Sequence, residues 1–95
     1  MPHILAEHPY YKIVRTVTAT EQSYIPEERV MCLFVSKITT RHREFPLHEV
    51  YDISYRRMGA EEGILYLHTR QGVYPFNVKS DPASFIEAFK RLAAE

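Results

Sequence analysis

The side chains of this chain that could do chemistry are one cysteine, five histidines, and small groups of carboxylates and basic residues. Cys32 is the sole cysteine, so it has no partner for a disulfide within the chain. It stands in the apolar run VMCLFV, where burial would raise the thiol pKa and leave little reactive thiolate. No G-x-S-x-G sequence frames a serine nucleophile. We therefore expect Cys32 to pack in the core and the chain not to be an enzyme.

The histidines and carboxylates do not have the spacing of a metal or acid-base site. No two histidines are four residues apart, as two ligands on one helix face would be. Their positions are His3, His8, His42, His48 and His68. The pairs Glu27-Glu28 and Glu61-Glu62 fall in predicted loops, where nothing would separate the two pKa values as acid-base catalysis requires. We expect no metal and no cofactor.

The basic residues give the most suggestive local pattern. KITTRHR carries Lys37, Arg41 and Arg43, and Arg56 and Arg57 follow after a proline. Lysine and arginine bind phosphate by charge and by forked hydrogen bonds. These five residues are the candidate patch for anionic lipid headgroups. On one continuous strand Arg41 and Arg43 would point the same way, which describes a solvent-facing stripe equally well.

Composition narrows the class of protein. The chain has 95 residues, which corresponds to one domain over 1–95, and 45% of them are hydrophobic. Twelve basic residues balance twelve acidic ones, so no overall field favours nucleic acid. The first residues lack a signal-peptide pattern, and no apolar run approaches the length of a membrane span. With a single cysteine, these features predict a soluble, cytoplasmic protein.

Alternating residues predict strands in the first half of the chain. Residues 1–9 are expected to be a loose lead-in, followed by a strand over 10–20. Residues 21–28 contain Pro26 among charges and are expected to form a loop. The most apolar run, 29–35, predicts a central strand with both faces covered. Its expected hairpin partner is one strand over 38–45.

Pro46 has no N–H to donate, so it is expected to end strand pairing and turn a corner. Alternation then resumes in LHEVYDISYRR, residues 47–57. One face of this predicted strand carries its apolar residues: Leu47, Tyr51, Ile53 and Tyr55.

A hairpin is the strongest local prediction. Two apolar runs, 64–69 and 73–78, flank the short stretch RQG, in which Gly72 can adopt a positive φ. Pro75 places the second of these strands at a sheet edge or a bulge.

The last segment changes to a helical period. Asp81 is suited to an N-cap and Pro82 to the first helical position, which predicts a helix over 82–93. Its apolar residues form one stripe: Phe85, Ile86, Phe89, Leu92 and Ala93. The helix is too short to persist alone in water, so the stripe should pack on the sheet.

Residues 41 to 93 resemble the second half of bacterial pleckstrin-homology-like (PH-like) domains. The resemblance includes the step Phe45-Pro46-Leu47 that leads into the strand at Val50, the glycine-turn hairpin, and a helix that opens after Asp-Pro with Phe85 and Phe89. It implies a mainly β (α+β) fold: a bent antiparallel barrel of about six to seven strands, capped by one C-terminal helix. The superfamily includes binders of lipid headgroups, binders of peptides, and modules that only assemble.

These observations predict a non-catalytic binding or assembly module. It would contact a protein or peptide, or a second copy of itself, through a sheet edge or an aromatic surface. Tyrosine suits such interfaces because its ring is apolar and its hydroxyl is polar. The candidate interface aromatics are Tyr10, Tyr11, Tyr55, Tyr66 and Tyr74. The alternative is a membrane-surface module that uses the five-residue basic patch.

Overall fold

The computed structural model describes residues 3–60 and 62–94 of the chain. Residues 1–2 of the expected lead-in and Glu61 of the loop carboxylate pair lie outside these ranges. The described residues form seven strands and one α-helix, in this order: β1 (Ala6–Val17), β2 (Gln22–Leu33), β3 (Lys37–Thr39), β4 (Glu44–Pro46), β5 (Val50–Arg57), β6 (Gly63–Thr69), β7 (Gly72–Val78) and α1 (Ala83–Ala93).

The strands form one antiparallel sheet in the order β4-β3-β2-β1-β7-β6-β5. The first and last strands of the chain are therefore neighbours in the middle of the sheet. A 3-10 turn, Leu47–Glu49, joins the edge strands β4 and β5. No strand pairing connects those two edges among the described residues, so the sheet is not closed. The mainly β composition with one terminal helix is confirmed.

The core lies between one face of the sheet and α1. Phe85 and Phe89 are 1% and 2% exposed, which confirms that the apolar stripe of the helix packs inward. The sheet contributes the other buried apolar side chains: Tyr10, Met31, Leu33, Ile38, Phe45, Val50, Ile53, Leu65, Leu67 and Val78. The helix begins at Ala83, one residue later than predicted. Asp81 still caps it, because its Oδ1 accepts the N–H of Ala83 at 2.9 Å.

Two segments predicted to be irregular are strands. β1 begins at Ala6, inside the expected lead-in, and β2 begins at Gln22, inside the expected loop. The two strands pair along their whole length, and Pro26 faces Ile13. A proline is tolerated in a strand where its nitrogen points away from the paired neighbour. The charges and the proline of 21–28 therefore mark an exposed ribbon rather than a loop.

Only residues 29–33 of the run 29–35 belong to an interior strand, β2, and just one face of this segment is covered. Met31 and Leu33 are buried, whereas Val30 is exposed on the opposite face. Cys32 shares the face of Val30 and is half-buried, so the prediction that it packs in the core is wrong. Burial, together with the nearby Glu7 carboxylate, still raises the pKa of its thiol, although a hydrogen bond with Thr39 opposes this.

The segment 38–45 is two short strands rather than one. β3 and β4 pair with each other, with Ile38 opposite Phe45. A tight turn joins them, in which the N–H of Thr40 donates to the carbonyl oxygen of Arg43 at 2.8 Å. Arg41 and Arg43 therefore belong to a turn and do not share one face of a strand. The predicted corner at Pro46 is present, because β4 ends there.

A register shift between Val50 and Asp52 changes the alternation in β5. Val50 and Ile53 are both buried as a result, and Tyr51 is 65% exposed. The prediction that Tyr51 and Ile53 share a face is therefore wrong, because an irregularity adds one residue to the strand.

The predicted hairpin is confirmed as β6 and β7, and Gly72 has a φ of 135°. The edge position predicted from Pro75 is wrong, since β7 lies between β1 and β6. The structure nevertheless shows why a proline fits there. β7 is registered with β1 only at the pair Tyr11 and Asn77 within the described part of the chain, so Pro75 has no β1 neighbour that needs its N–H.

Candidate binding site

The first two strands extend beyond the rest of the sheet. β1 leaves β7 after Tyr11, and in the described part of the chain β2 is registered with β3 only at Cys32 and Leu33. Over 12–17 and 22–27 the two strands are therefore paired only with each other among the described residues. We call this ribbon the arm. The molecule measures 54 Å along its longest axis against 30 and 26 Å along the others.

The arm carries apolar surface that nothing in the described chain covers. Four of its large side chains are between 45% and 62% exposed: Ile13, Val17, Tyr24 and Ile25. The register places the first three on one face of the arm and Ile25, opposite Val14, on the other. A two-stranded hairpin is at best marginally stable alone in water. Grouped exposed apolar residues on such an element are typical of a surface that contacts another molecule.

The two prolines of the ribbon indicate which backbone groups point outward. Pro9 faces Val30, and Pro26 faces Ile13. Pro9 and Ile13 are an even number of residues apart on β1, so the two pairs are of the same hydrogen-bonding type. Because proline cannot donate to the ladder, we assign these positions to the pairs without hydrogen bonds between β1 and β2. Ile13 and Arg15 then direct their N–H and C=O groups off the free edge of β1.

A cavity of about 260 Å³ lies where β1 and β7 separate. The base of the arm, β7 and the turn between β3 and β4 form its walls. The described residues that line it are Tyr10, Tyr11, Lys12, Arg29, Thr40, His42, Arg43, Pro75, Phe76 and Asn77. Three of them are cations and none is a carboxylate, so the cavity favours a negatively charged group.

Arg29 is the unusual member of this cavity. Its side chain is only 11% exposed, and the ion pair that it forms with Oε2 of Glu27 is long at 3.4 Å. The Nε atom is buried, and no described residue accepts a hydrogen bond from it. A buried donor without an acceptor costs about 1–3 kcal/mol, and more when the group is charged. An anion in the cavity would remove this cost.

Contacts with aromatic rings fix the turn between β3 and β4, which forms one wall of the cavity. The guanidinium of Arg43 lies 4.6 Å from the ring centroid of Tyr74 and 5.6 Å from that of Phe45. These cation–π contacts restrict where the Arg43 charge can lie. The Tyr10 hydroxyl accepts the N–H of Arg41 at 3.2 Å, which ties the turn to β1. The turn is therefore fixed over the cavity.

The predicted basic patch is divided among separate places. Arg43 lines the cavity, and Arg41 lies in the same turn as Arg43. Lys37, on β3, forms an ion pair with Glu44. Arg56 and Arg57 are exposed at the end of β5, where Nε of Arg57 donates to the Gly59 carbonyl at 3.0 Å.

The sequence did not reveal Lys12 and Arg29 as cavity residues. They lie on different strands, and the register sets Lys12 opposite Glu27 and Arg29 opposite Tyr10. Their adjacency depends on that register, and the apolar run after Arg29 predicts a buried strand rather than a cavity wall. No short motif joins residues 17 positions apart, so only pairing brings them together.

The predicted interface tyrosines are mostly not free surface. Tyr10 is buried in the core, where its ring meets Phe76 edge to face at 5.2 Å, so little of this side chain is free to contact a partner. The other four are half-buried: Tyr11, Tyr55, Tyr66 and Tyr74. The strongly exposed tyrosines are Tyr24 on the arm and Tyr51 at the irregularity of β5.

One pair of side chains resembles the start of a nucleophilic site. The Ser54 hydroxyl lies 2.7 Å from Nε2 of His68, on neighbouring strands, and the register places Asp52 opposite His68. A serine nucleophile also needs an oriented base and donors for an oxyanion. No hydrogen bond from His68 to Asp52 is present among the described contacts, and the pair lies on the face of β5 and β6 away from the core. We interpret it as a cross-strand hydrogen bond.

We expect no ester or amide hydrolysis above the rate of a Ser54→Ala variant. The physical reason is that neither Ser54 nor His68 lines any of the four described cavities, and the pair lies on the face of the sheet away from the core. A broad screen with activated esters and peptide amides would measure this, with Ser84→Ala as a control at an exposed serine elsewhere. Turnover by the wild type that Ser54→Ala abolishes and Ser84→Ala retains would contradict the prediction.

Within the described ranges, no group of three or more histidine, cysteine or acidic side chains could hold a metal ion. The described part of the chain also contains no helix with the length and apolar character needed to cross a membrane. The sequence matches no protein-family model and no curated protein.

Proposed function

We propose that the chain is a non-catalytic protein-binding or assembly module that adds a partner strand to the free edge of its arm. The observation that supports this most directly is the run of β1 residues 12–17, which among the described residues has a strand neighbour on one side only. An extended partner segment gains main-chain hydrogen bonds by adding to such an edge. The exposed Ile13 and Val17 side chains add apolar contact.

The two edges of the arm differ in how well they are protected against pairing with another strand. On β2 the nitrogen of Pro26 points outward, and Glu27 and Glu28 follow it with like charges. Proline and charge are the common means by which proteins prevent pairing at an edge. On β1 the only charges over the free stretch are Lys12 and Arg15. The β1 edge is therefore the docking edge.

A second copy of the chain is the partner that can be tested directly. The formal net charge is zero, so no overall repulsion keeps copies apart near neutral pH. Antiparallel pairing of β1 with β1 of another copy would use the same surface on both, as a two-fold dimer requires.

We expect sedimentation equilibrium at micromolar concentration to give twice the 11.2 kDa chain mass. Arg15→Pro should return the protein to the monomer mass, because it removes an outward N–H without removing a ladder bond within the arm. Arg15→Ala is the matched control, since it removes the same charge and keeps the N–H. It should remain dimeric.

A wild-type monomer would exclude self-association and leave the edge to a different protein chain. A dimer that Arg15→Pro does not weaken would contradict the assignment of the β1 edge. Denaturation of both variants checks that the arm is intact, and neither should lose more than about 1 kcal/mol.

The alternative function is binding of anionic headgroups at a membrane surface through the patch of Lys37, Arg41, Arg43, Arg56 and Arg57. The position of Arg41 and Arg43 in one fixed turn favours it. The separation of Arg56 and Arg57 from that turn, and the Lys37–Glu44 pair, weaken it.

Co-sedimentation with vesicles that contain an anionic lipid tests this alternative. Headgroup binding would appear in low salt, decrease in high salt and fall with an Arg41→Gln, Arg43→Gln double variant. We expect the wild type instead to stay in the supernatant with anionic and neutral vesicles alike.

We also propose that the chain has the PH-like architecture, with the bent sheet as a barrel that α1 caps, and that it acts in the cytoplasm. Seven antiparallel strands in an order that makes β1 and β7 neighbours, followed by one helix, support the architecture. The single cysteine supports a reducing compartment.

A further inference from the structure

We infer that the cavity at the base of the arm binds the C-terminal carboxylate of the strand that adds to β1. This inference rests on the proposed function and specifies its ligand. It assigns the docking edge a partner of defined chemistry: an extended peptide with a free C-terminus and an apolar last residue.

The direction of the strands sets which end of the partner reaches the cavity. β1 runs away from the cavity, from Tyr11 toward Val17. A peptide that pairs antiparallel to 12–17 therefore runs toward the cavity with its C-terminus leading. It cannot continue past that point, because β7 occupies the next position along β1 through the pair Tyr11 and Asn77. A chain end fits this place. The β1 strand of a second copy, which turns back after Val17 into β2, would occupy the same edge and compete with such a peptide.

The charge of the cavity matches a carboxylate. Lys12, Arg29 and Arg43 surround it, and no described acidic side chain lines it. Arg29 is the decisive residue, because its buried Nε has no acceptor among the described residues. A carboxylate can accept Nε–H and a terminal N–H of one guanidinium together, in the planar fork that arginine offers.

The remaining walls of the cavity determine which kind of group can lie next to the carboxylate of the ligand. The rings of Tyr11, Pro75 and Phe76 provide apolar surface beside the charged groups. The cavity of about 260 Å³ is large compared with the roughly 30 Å³ that one water occupies in the liquid. It therefore has room for the carboxylate and one apolar side chain. A peptide amide at the same place would offer the buried Nε–H of Arg29 no charged acceptor.

Two arrays of randomised heptapeptides test the inference, one displaying free C-terminal carboxylates and the other the same sequences as C-terminal amides. We expect the wild type to bind free-acid peptides with apolar last residues at least ten-fold more strongly than the matching amides. Arg29→Gln should remove this preference. Because Arg29 is largely buried, Arg43→Gln provides a second variant at an exposed position, and it should reduce the preference as well. Arg57→Gln, at a basic residue that does not line the cavity, is the matched control and should keep the full preference.

The outcomes separate this inference from the proposed function. Equal binding to acid and amide peptides, lost in Arg15→Pro, would overturn the carboxylate site and leave edge pairing intact. Absence of binding to both arrays would overturn the carboxylate site, and a wild-type dimer that Arg15→Pro dissociates would leave edge pairing intact. A preference for acids that survives both Arg29→Gln and Arg43→Gln would also overturn it. Binding to anionic vesicles but to neither array would assign the cavity to a headgroup instead.

Discussion

Phe85→Ala and Phe89→Ala are each expected to lower the free energy of unfolding by about 3–5 kcal/mol. The two rings are 1% and 2% exposed and are the only fully buried side chains of α1 among its described residues. Truncating either one removes apolar contact and leaves a cavity between the helix and the sheet. Because an eleven-residue helix depends on packing for its stability, the loss should affect the whole fold. Urea denaturation followed by circular dichroism measures it.

Glu87→Ala is the control within the same helix, since Glu87 is exposed. It should change stability by no more than about 0.5 kcal/mol. Unfolding midpoints for both phenylalanine variants that match the control would show that α1 does not cover the core.

Gly63→Ala should destabilise the chain by about 3 kcal/mol, at the upper end of the usual cost of overpacking. Gly63 is buried at the start of β6, opposite Arg57. A Cβ atom there would collide with the carbonyl oxygen of Arg56 and lie 2.6 Å from Cε1 of Tyr55. The backbone contact cannot be relieved by a rotamer change, so β5 and β6 would have to separate locally. Urea denaturation gives the loss of stability directly.

Gly59→Ala separates this steric effect from the general effect of replacing glycine. The nearest atom to a Cβ at Gly59 is Cβ of Glu62, at 4.0 Å, and its φ is not positive. This variant should be neutral or slightly stabilising, because alanine restricts the unfolded chain more than glycine does. Equal destabilisation by both substitutions would contradict the steric explanation for Gly63.

The elements that could be predicted from the sequence are those whose signals are local. The β6–β7 hairpin has an apolar run on each side of a glycine that adopts a positive φ, and the turn needs little else. The helix has a cap at Asp81 and a stripe at helical spacing, so its position was wrong by only one residue. The corner at Pro46 follows from the missing N–H of proline.

The elements that were wrong depend on partners distant in sequence. Residues 21–28 are charged and contain Pro26, which indicates a loop, yet they pair with β1. Pro26, opposite Ile13, breaks no ladder hydrogen bond, because its nitrogen points to the side of β2 that has no strand neighbour there among the described residues. Tyr51 does not lie on its predicted face, because the pairing of β5 with β6 is irregular between Val50 and Asp52. The residues next to Tyr51 in the sequence do not specify this irregularity. Edge, register and bulge are properties of a pair of strands, so one strand's sequence does not contain them.

The candidate site follows the same division. The amino-acid sequence determined a β-rich chain with one terminal helix and an inward stripe at Phe85 and Phe89. Tertiary structure alone decided that β1 meets β7 and then leaves it, which creates both the free edge and the cavity. It also brought Lys12, Arg29 and Arg43 together from three segments. The physical reason is that periodicity fixes which way a side chain points within its own strand, whereas strand order and register fix which side chains it meets.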